Sequence, residues 1–434
     1  MAELREVFGS ATDVNVLSYV DRGGLDEKFA YHLGTQRHIA VHGGSKQGKS
    51  WLRAKALDKK QTLRIQCLVE TTPETIFTEA LGQLGIWVDL KRTESNDITG
   101  KIDLKASGEL GLAILGKIKA EGAGALSAAL DKETEAAPVG QAPASLSWVA
   151  RILKESERRL VIEDFHYMAE TQQRRFAFIL KALGEYEVFA VIVGIWPTDH
   201  LLTYYNGDLT LRVEDIRLSW SNPELEEVLR KGSDALNIHM SPALCAGLIA
   251  DAYGNVGLLQ RLAEQVCLQY RVTSTARETV RMDVGTELDD ARKQVASQMS
   301  GRFLAFADNF VRGMRRLKEG LAVYHHLLRT FTAATDAELV DGVDSAQLLE
   351  RIHRDAESIR QSDLTQALER VERLQVQIDV NPLVLTYSKP ARRVFLADRA
   401  FLFFRKYAQP KWPWDEPGEP ENDLASSQPL LLAD

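Results

Sequence analysis

The chain reads as an α/β protein: a parallel sheet with flanking helices, then a helical lid and a C-terminal unit of helices with a hairpin. Three observations predict it. Short β-rich runs alternate with helical apolar spacing over residues 1–220, the signature of a sheet covered by helices. A glycine-rich loop separates the first of these runs from a helix. Beyond residue 220 the apolar period turns almost wholly helical.

The β-rich runs are His38–His42, Thr62–Val69, Arg159–Ile162, Val188–Ile195 and Arg212–Trp220. Several are apolar with little alternation, as strands buried on both faces should be. They assign 1–220 to the sheet domain, with an insertion at 94–143. That insertion is rich in Gly, Ala and Lys and reads as a flexible surface segment, as a hairpin that touches a partner or DNA, or, against the interruptions by Lys117, Lys119 and Glu121, as a membrane contact. The lid spans 221–275: Asn222-Pro223 and Ser241-Pro242 start helices, and Gly254-Asn255 divides the second from the third. A helical connector follows at 276–319.

The C-terminal unit spans 320–408. Helical spacing runs through Leu321–Thr332, Ala346–Ile359 and Leu364–Ile378. Leu383–Tyr387, a turn at Ser388–Pro390 and Arg393–Leu396 then read as a hairpin. Three helices plus a hairpin is the winged-helix pattern. Lys389, Arg392 and Arg393 on the hairpin suit a phosphate backbone, yet Glu350, Asp355, Glu357, Glu369 and Glu372 share its helices, so no clean basic face emerges. Phe401, Phe403, Phe404 and Tyr407 read as core. The tail, 409–434, carries Pro410, Pro413, Pro417 and Pro420 and reads as disordered.

Composition narrows the function classes. Of 434 residues, 45% are apolar and 26% charged, the balance of an ordinary globular protein. The net charge of −8, from 61 acids against 53 bases, argues against wholesale coating of nucleic acid and leaves room for one local basic face. No run is long and apolar enough to span a membrane, and Met1–Ser10 lacks the form of a signal peptide. Cys67, Cys245 and Cys267 show no metal-ligand spacing and read as core residues in a reducing cytoplasm.

The chemistry sits at Gly43-Gly44-Ser45-Lys46-Gln47-Gly48-Lys49-Ser50, between the apolar Ile39-Ala40-Val41 and a helix. Three glycines let the backbone curl so that N–H groups point at phosphate oxygens. The helix start adds its positive end, Lys49 reaches the β- and γ-phosphates, and Ser50 offers a hydroxyl to Mg²⁺. Such a site needs an acid at the end of a neighbouring strand, and Leu160-Val161-Ile162-Glu163-Asp164 ends in two. Two adjacent buried carboxylates require a compensating cation, so a metal beside the Ser50 hydroxyl explains the pair better than packing does. The fold class is thus a P-loop NTPase with ATP and Mg²⁺ as expected cofactors.

These residues resemble the AAA+/STAND P-loop ATPases, between the origin-initiator and STAND branches, over roughly 18–270. Tyr19-Val20-Asp21-Arg22, followed by Leu25 and Phe29, resembles the nucleotide-base box. Ile162-Glu163-Asp164-Phe165-His166 resembles the STAND-type second motif. The resemblance implies a polar sensor near Thr198, and a γ-phosphate arginine at Arg212, with Arg217 and Arg261 as competitors. It places the AAA+ second sensor arginine at Gly257, where this chain has none. The resemblance implies a metal-side acid followed by a base, which places Mg²⁺ on Ser50 and Glu163 and the attacking water at Asp164. Glu thus precedes Asp, and the shorter carboxylate stands in the base position, farther from the water. Misplacement on that scale costs on the order of a hundredfold in rate, which favours a slow switch over a motor.

The implied function is a nucleotide switch. ATP closes the lid and winged helix over the sheet domain, copies of the chain assemble as a homo-oligomer, and the assembly acts on a separate partner or effector. Relatives of this kind often serve in anti-phage defence, an analogy of fold. The alternative is a DNA-transaction ATPase that assembles on duplex DNA; a third reading is a passive ATP-binding scaffold.

Overall fold

The structure is a computed structural model that describes residues 1–9, 17–90, 102–122, 143–315, 321–378, 380 and 383–414. A short helix α1 (Leu4–Val7) precedes α2 (Leu25–Leu33), β1 (His38–Gly43) and α3 (Lys49–Ala56). Then come β2 (Thr62–Gln66), α4 (Pro73–Gln83), β3 (Ile86–Leu90), β4 (Ile102–Ala106), α5 (Gly108–Gly122) and α6 (Pro143–Glu155). The sheet domain closes with β5 (Arg159–Glu163), α7 (Glu170–Glu185), β6 (Ala190–Val193), α8 (Leu201–Tyr205) and β7 (Val213–Leu218).

Five of these strands form one sheet in the order β2-β5-β6-β1-β7, and every neighbouring pair is parallel. Alternate residues supply its two faces. Ala40, Leu63, Ile65, Leu160, Ile162 and Ile192 pack with Phe77, Val149 and Phe176. Ile39, Val41, Val161, Val191 and Ile216 pack with Phe29 and Leu52. All five expected strands are present: β2, β6 and β7 are shorter than the runs that predict them, and β1 and β5 each extend one residue further.

The lid comprises α9 (Asn222–Leu236), β8 (Ile238–Met240), α10 (Pro242–Ala252), α11 (Val256–Gln269) and β9 (Val280–Met282); the connector is α12 (Thr286–Arg315). The helix starts follow the sequence signals. Ser221 forms a capping box with Glu224, Ser241 accepts from the Leu244 N–H, and Asn255 accepts from the Leu258 N–H. The C-terminal unit holds α13 (Leu321–Ala333), α14 (Asp336–Asp341), β10 (Val343–Asp344), α15 (Ser345–Ile352), α16 (Gln361–Gln377), β11 (Leu385–Ser388), β12 (Arg393–Leu396) and α17 (Ala400–Ala408). Its strands form an antiparallel sheet, β10-β12-β11.

Three boundaries differ from the expectation. Residues 1–9 leave the sheet domain: Leu4, Val7 and Phe8 are buried among α9 and α11, and Leu4 N–H donates to Thr273 O at 2.9 Å. The described part of the 94–143 insertion is packed, since β4 pairs antiparallel with β3 and α5 buries Ile114 and Leu115 in the sheet-domain core; the rest lies outside the described residues. The tail starts later than 409. Trp412 stacks on Phe401 at 5.4 Å between ring centroids, and buried Trp414 donates to Thr332 Oγ1 at 3.0 Å. The prolines at 410 and 413 steer the chain back without disordering it, because two indoles offer more apolar area than the local polarity suggests. Residues 415–434 lie outside the described residues.

Lid, connector and C-terminal unit share one continuous hydrophobic core, from Leu225 through Phe303 and Phe331 to Phe401. The sheet domain has its own.

Candidate phosphate site

The loop leaves the C-terminal end of β1 and enters α3. Gly43 has φ 140°, and a Cβ there would stand 2.4 Å from Leu218 O on the neighbouring strand, so only glycine passes. Gly48, at φ 82°, is the N-cap of α3. Ser45, Gln47 and Lys49 are buried, and Ser50 is exposed at the helix start. Lys49 Nζ donates to Gly44 O at 2.6 Å and to Gly43 O at 3.4 Å. Burial pulls its ammonium down to about 8, against the opposing pull of Asp164 and Glu163.

Glu163 and Asp164 do reach the loop, but the compensating cation belongs to the protein. Arg53 Nε on α3 lies 2.6 Å from Glu163 Oε1, and both side chains are buried. Arg64 Nε on β2 stands 3.9 Å from the same oxygen. Burial raises the Glu163 carboxyl, and Arg53 and Arg64 oppose that shift. Asp164, at φ 53°, accepts from Gln66 Nε2; burial raises its carboxyl as well. Among the described residues no group of three or more His, Cys, Asp or Glu is arranged to hold a metal ion. Glu163, on which the sequence reading places Mg²⁺, is held here by Arg53. Arg53 stands one helical turn beyond Lys49, in no motif that the sequence reading singles out.

The wall opposite the sheet comes from three later segments. Gln47 Nε2 donates to Gly254 O at 3.0 Å, and Gly257 N–H donates to Lys46 O at 3.4 Å. A Cβ on Gly257 would meet Lys46 Cβ at 2.9 Å. The missing sensor arginine thus has a packing reason: the lid helix lies directly on the loop. Ser45 N–H donates to Ala397 O at 2.8 Å. Beside it Asp398, fully buried, accepts from Arg302 Nη1 at 2.5 Å, and its charge is felt at Lys49. No sequence motif marked Ala397 or Asp398, because their role arises from contact across the fold.

Arg22 and Tyr19 frame the loop from the N-terminal side. Arg22 Nη1 donates to Gln47 O at 3.0 Å, and its guanidinium lies over Trp220 at 4.4 Å, whose Nε1 donates to the same carbonyl at 3.2 Å. Tyr19 hydrogen-bonds Asp26 through its hydroxyl and accepts from Lys231 Nζ in the lid at 2.8 Å. His166, in the second motif, accepts through Nδ1 from Ile195 N–H at 3.2 Å. It joins the ends of β5 and β6, and burial holds its ring neutral, near 3.

The other candidates lie elsewhere. Arg212 Nη1 donates to Glu185 at 2.7 Å at the start of β7, whose far end, Leu218, pairs with Gly43. Six residues of extended chain separate it from the loop by about 20 Å, so it does not reach the γ-phosphate of its own site. Arg217 lies at the loop end of β7 and is exposed. Arg261 pairs with Glu264. Thr198 shares a 3.1 Å hydrogen bond with Ser388 on β11. Lys389, at the hairpin tip, pairs with Glu170 at 3.0 Å.

A phosphate loop on an interior strand of a five-stranded parallel sheet, with an acidic pair on the strand beyond its neighbour, defines a P-loop NTPase fold. Among solved structures the chain is similar to a Walker-type ATPase of Pyrococcus abyssi, at 13% identity over 89% of this chain and 96% of that one, with TM-score 0.47. It is also similar to the Orc1 protein of Aeropyrum pernix in complex with DNA, at 11% identity over 93% and 96% with TM-score 0.37. A STAND protein of Pyrococcus horikoshii with a tetratricopeptide repeat sensor matches at 11% identity and TM-score 0.35, the match covering 89% of this chain and 42% of that one. No protein-family model matches the chain, and no curated protein matches it in sequence.

Proposed function

We propose that the chain is an ATP-binding, slowly hydrolysing switch in which nucleotide phosphates and the C-terminal unit compete for the phosphate loop. The observation that carries this reading is the 2.8 Å hydrogen bond from Ser45 N–H to Ala397 O. A loop built to direct N–H groups at an anion gives one of them to a carbonyl of another unit. Adding a γ-phosphate brings negative charge against Ala397 O and the buried Asp398 carboxylate, while Lys49 turns from the Gly44 carbonyl to the phosphates.

That charge weakens docking, so ATP releases the C-terminal unit, the reverse of the closure suggested by resemblance alone. Release also uncovers the small apolar contact of Ile195 with Leu383 and Ala397, a surface on which copies then associate before acting on a partner. Slow hydrolysis follows from Asp164, whose carboxylate is already engaged by Gln66.

Hydrogen exchange over 383–400 with ATP, ADP and no nucleotide, together with mass photometry, tests the reading. Faster exchange and larger assemblies with ATP are expected. A monomer with unchanged exchange under every condition leaves the passive scaffold in its place. Assembly on duplex DNA requires Lys389 to leave Glu170; a salt-sensitive DNA shift without nucleotide would favour that alternative.

A further inference from the structure

We propose that nucleotide phosphates bind this loop without a divalent cation, because Arg53 supplies the positive charge that a metal provides beside the second-motif acid in phosphate-loop sites generally. The inference rests on the nucleotide reading above.

Arg53 stands four residues after Lys49 and three after Ser50, on the same face of α3. Helical side chains lean toward the N-terminus, which delivers its guanidinium to the loop end of the helix. There it meets Glu163 at 2.6 Å, with 7% and 5% of the two side chains exposed. Arg64 adds a second guanidinium 3.9 Å from Glu163, and Lys49 a third cation that couples to both acids.

Two carboxylates are thus already matched by three protein cations. A divalent ion entering here meets like charges in a partly desolvated site. To ligate Glu163 it must also strip that carboxylate from Arg53 and leave a buried guanidinium unpaired, which is strongly unfavourable. Of the expected protein ligands this leaves the exposed Ser50 hydroxyl, so an ion here would rest on waters and on the nucleotide's own phosphate oxygens, with no carboxylate free to hold it to the protein. A polyphosphate faces the opposite balance. Guanidinium forks suit phosphate oxygens, and Arg22, held over the loop at Gln47, extends the same cationic rim.

The test is calorimetry of the full chain with ATP and with ADP, in excess EDTA and in excess Mg²⁺. Affinities within about threefold of one another across the two conditions are expected, a difference of less than one decade in Kd. Arg53→Gln exposes the Glu163 charge and is expected to make binding Mg²⁺-dependent by about tenfold or more. Should that variant fold poorly, Arg53→Gln with Glu163→Gln keeps the pair neutral and is expected to bind weakly in both conditions, without Mg²⁺ rescue. Wild-type binding that collapses in EDTA and returns with Mg²⁺ overturns the inference while leaving the nucleotide site intact. Absence of binding in both conditions instead removes the nucleotide reading beneath it.

Discussion

The two walls of the phosphate loop are made of different material. On the sheet side the contacts are between charged side chains: Lys49, Arg53 and Glu163, all buried, crowd together beside Asp164. On the lid side they are largely backbone: Gly254 O, Gly257 N–H and Ala397 O lie directly on the loop. Buried charges are costly to separate and hold one arrangement. A backbone hydrogen bond contributes only about 1 kcal/mol net and is readily exchanged for a phosphate oxygen. Selectivity for the anion therefore belongs to the first wall, and control by conformation to the second.

The largest expected effect breaks the first wall. Glu163→Ala strands the Arg53 guanidinium and should destabilise the sheet domain by about 3 kcal/mol, read from chemical denaturation. Asp398→Ala on the second wall should loosen 383–414 in hydrogen exchange and leave that sheet-domain transition in place. Equal loss of the sheet-domain transition in both variants would erase the distinction. Next comes Lys49→Ala, which should weaken ATP about a hundredfold, the equivalent of roughly 2.7 kcal/mol. Unchanged calorimetric affinity would remove the site.

A pH series tests the same wall without mutation. The Lys49 ammonium titrates near 8 in the folded chain against 10.5 for the unperturbed group, burial being the main cause. Between those values the unfolded chain binds the extra proton, so this group makes stability rise with pH across that window. Phosphate binding uses the ammonium form and should fall as pH passes 8, by up to about tenfold per unit. Opposite slopes for melting and for binding are the signature; parallel slopes would assign the titration elsewhere.

Much of the first wall was legible in the sequence, because its chemistry is local. Gly43–Ser50 and Glu163-Asp164 are contiguous motifs on predictable strands. Arg53 is equally local, one turn past Lys49, yet lies in no motif that marks it. The second wall was not legible. Ala397 lies more than 350 residues from Ser45, and a backbone carbonyl leaves no trace in residue type. The sequence marks Gly257 as a place without an arginine; the reason lies in the fold, where a Cβ at 257 would stand 2.9 Å from Lys46 Cβ. The five strands of the parallel sheet followed from apolar runs, whereas the β3-β4 pair did not, and the merging of lid, connector and C-terminal unit into one core depends on faces that single-helix periodicity does not pair.

Smaller changes sharpen the contrast. Gly257→Ala places a methyl against Lys46 Cβ and should lift the lid helix at a cost of about 1 kcal/mol, weakening docking while retaining ATP binding. Hydrogen exchange at 254–262 reports it, and unchanged protection there would mean that Lys46 yields instead.

The smallest effect is expected at Arg212. It lies at the far end of β7, paired with Glu185 across two half-exposed side chains, where solvent screens the attraction. Arg212→Ala should leave ATP affinity within about twofold, or less than 0.5 kcal/mol, since neither wall includes it. Its remaining route to function is a neighbouring copy, whose loop it would have to reach across an assembly. Turnover per chain would then rise with protein concentration in the wild type and stay flat in the variant. Arg217, already at the loop end of β7, is the control: Arg217→Ala should act at any concentration if it meets the phosphates of its own chain. If both variants keep wild-type turnover and assembly, no β7 arginine serves the site, and its cations are those of the sheet-side wall together with Arg22.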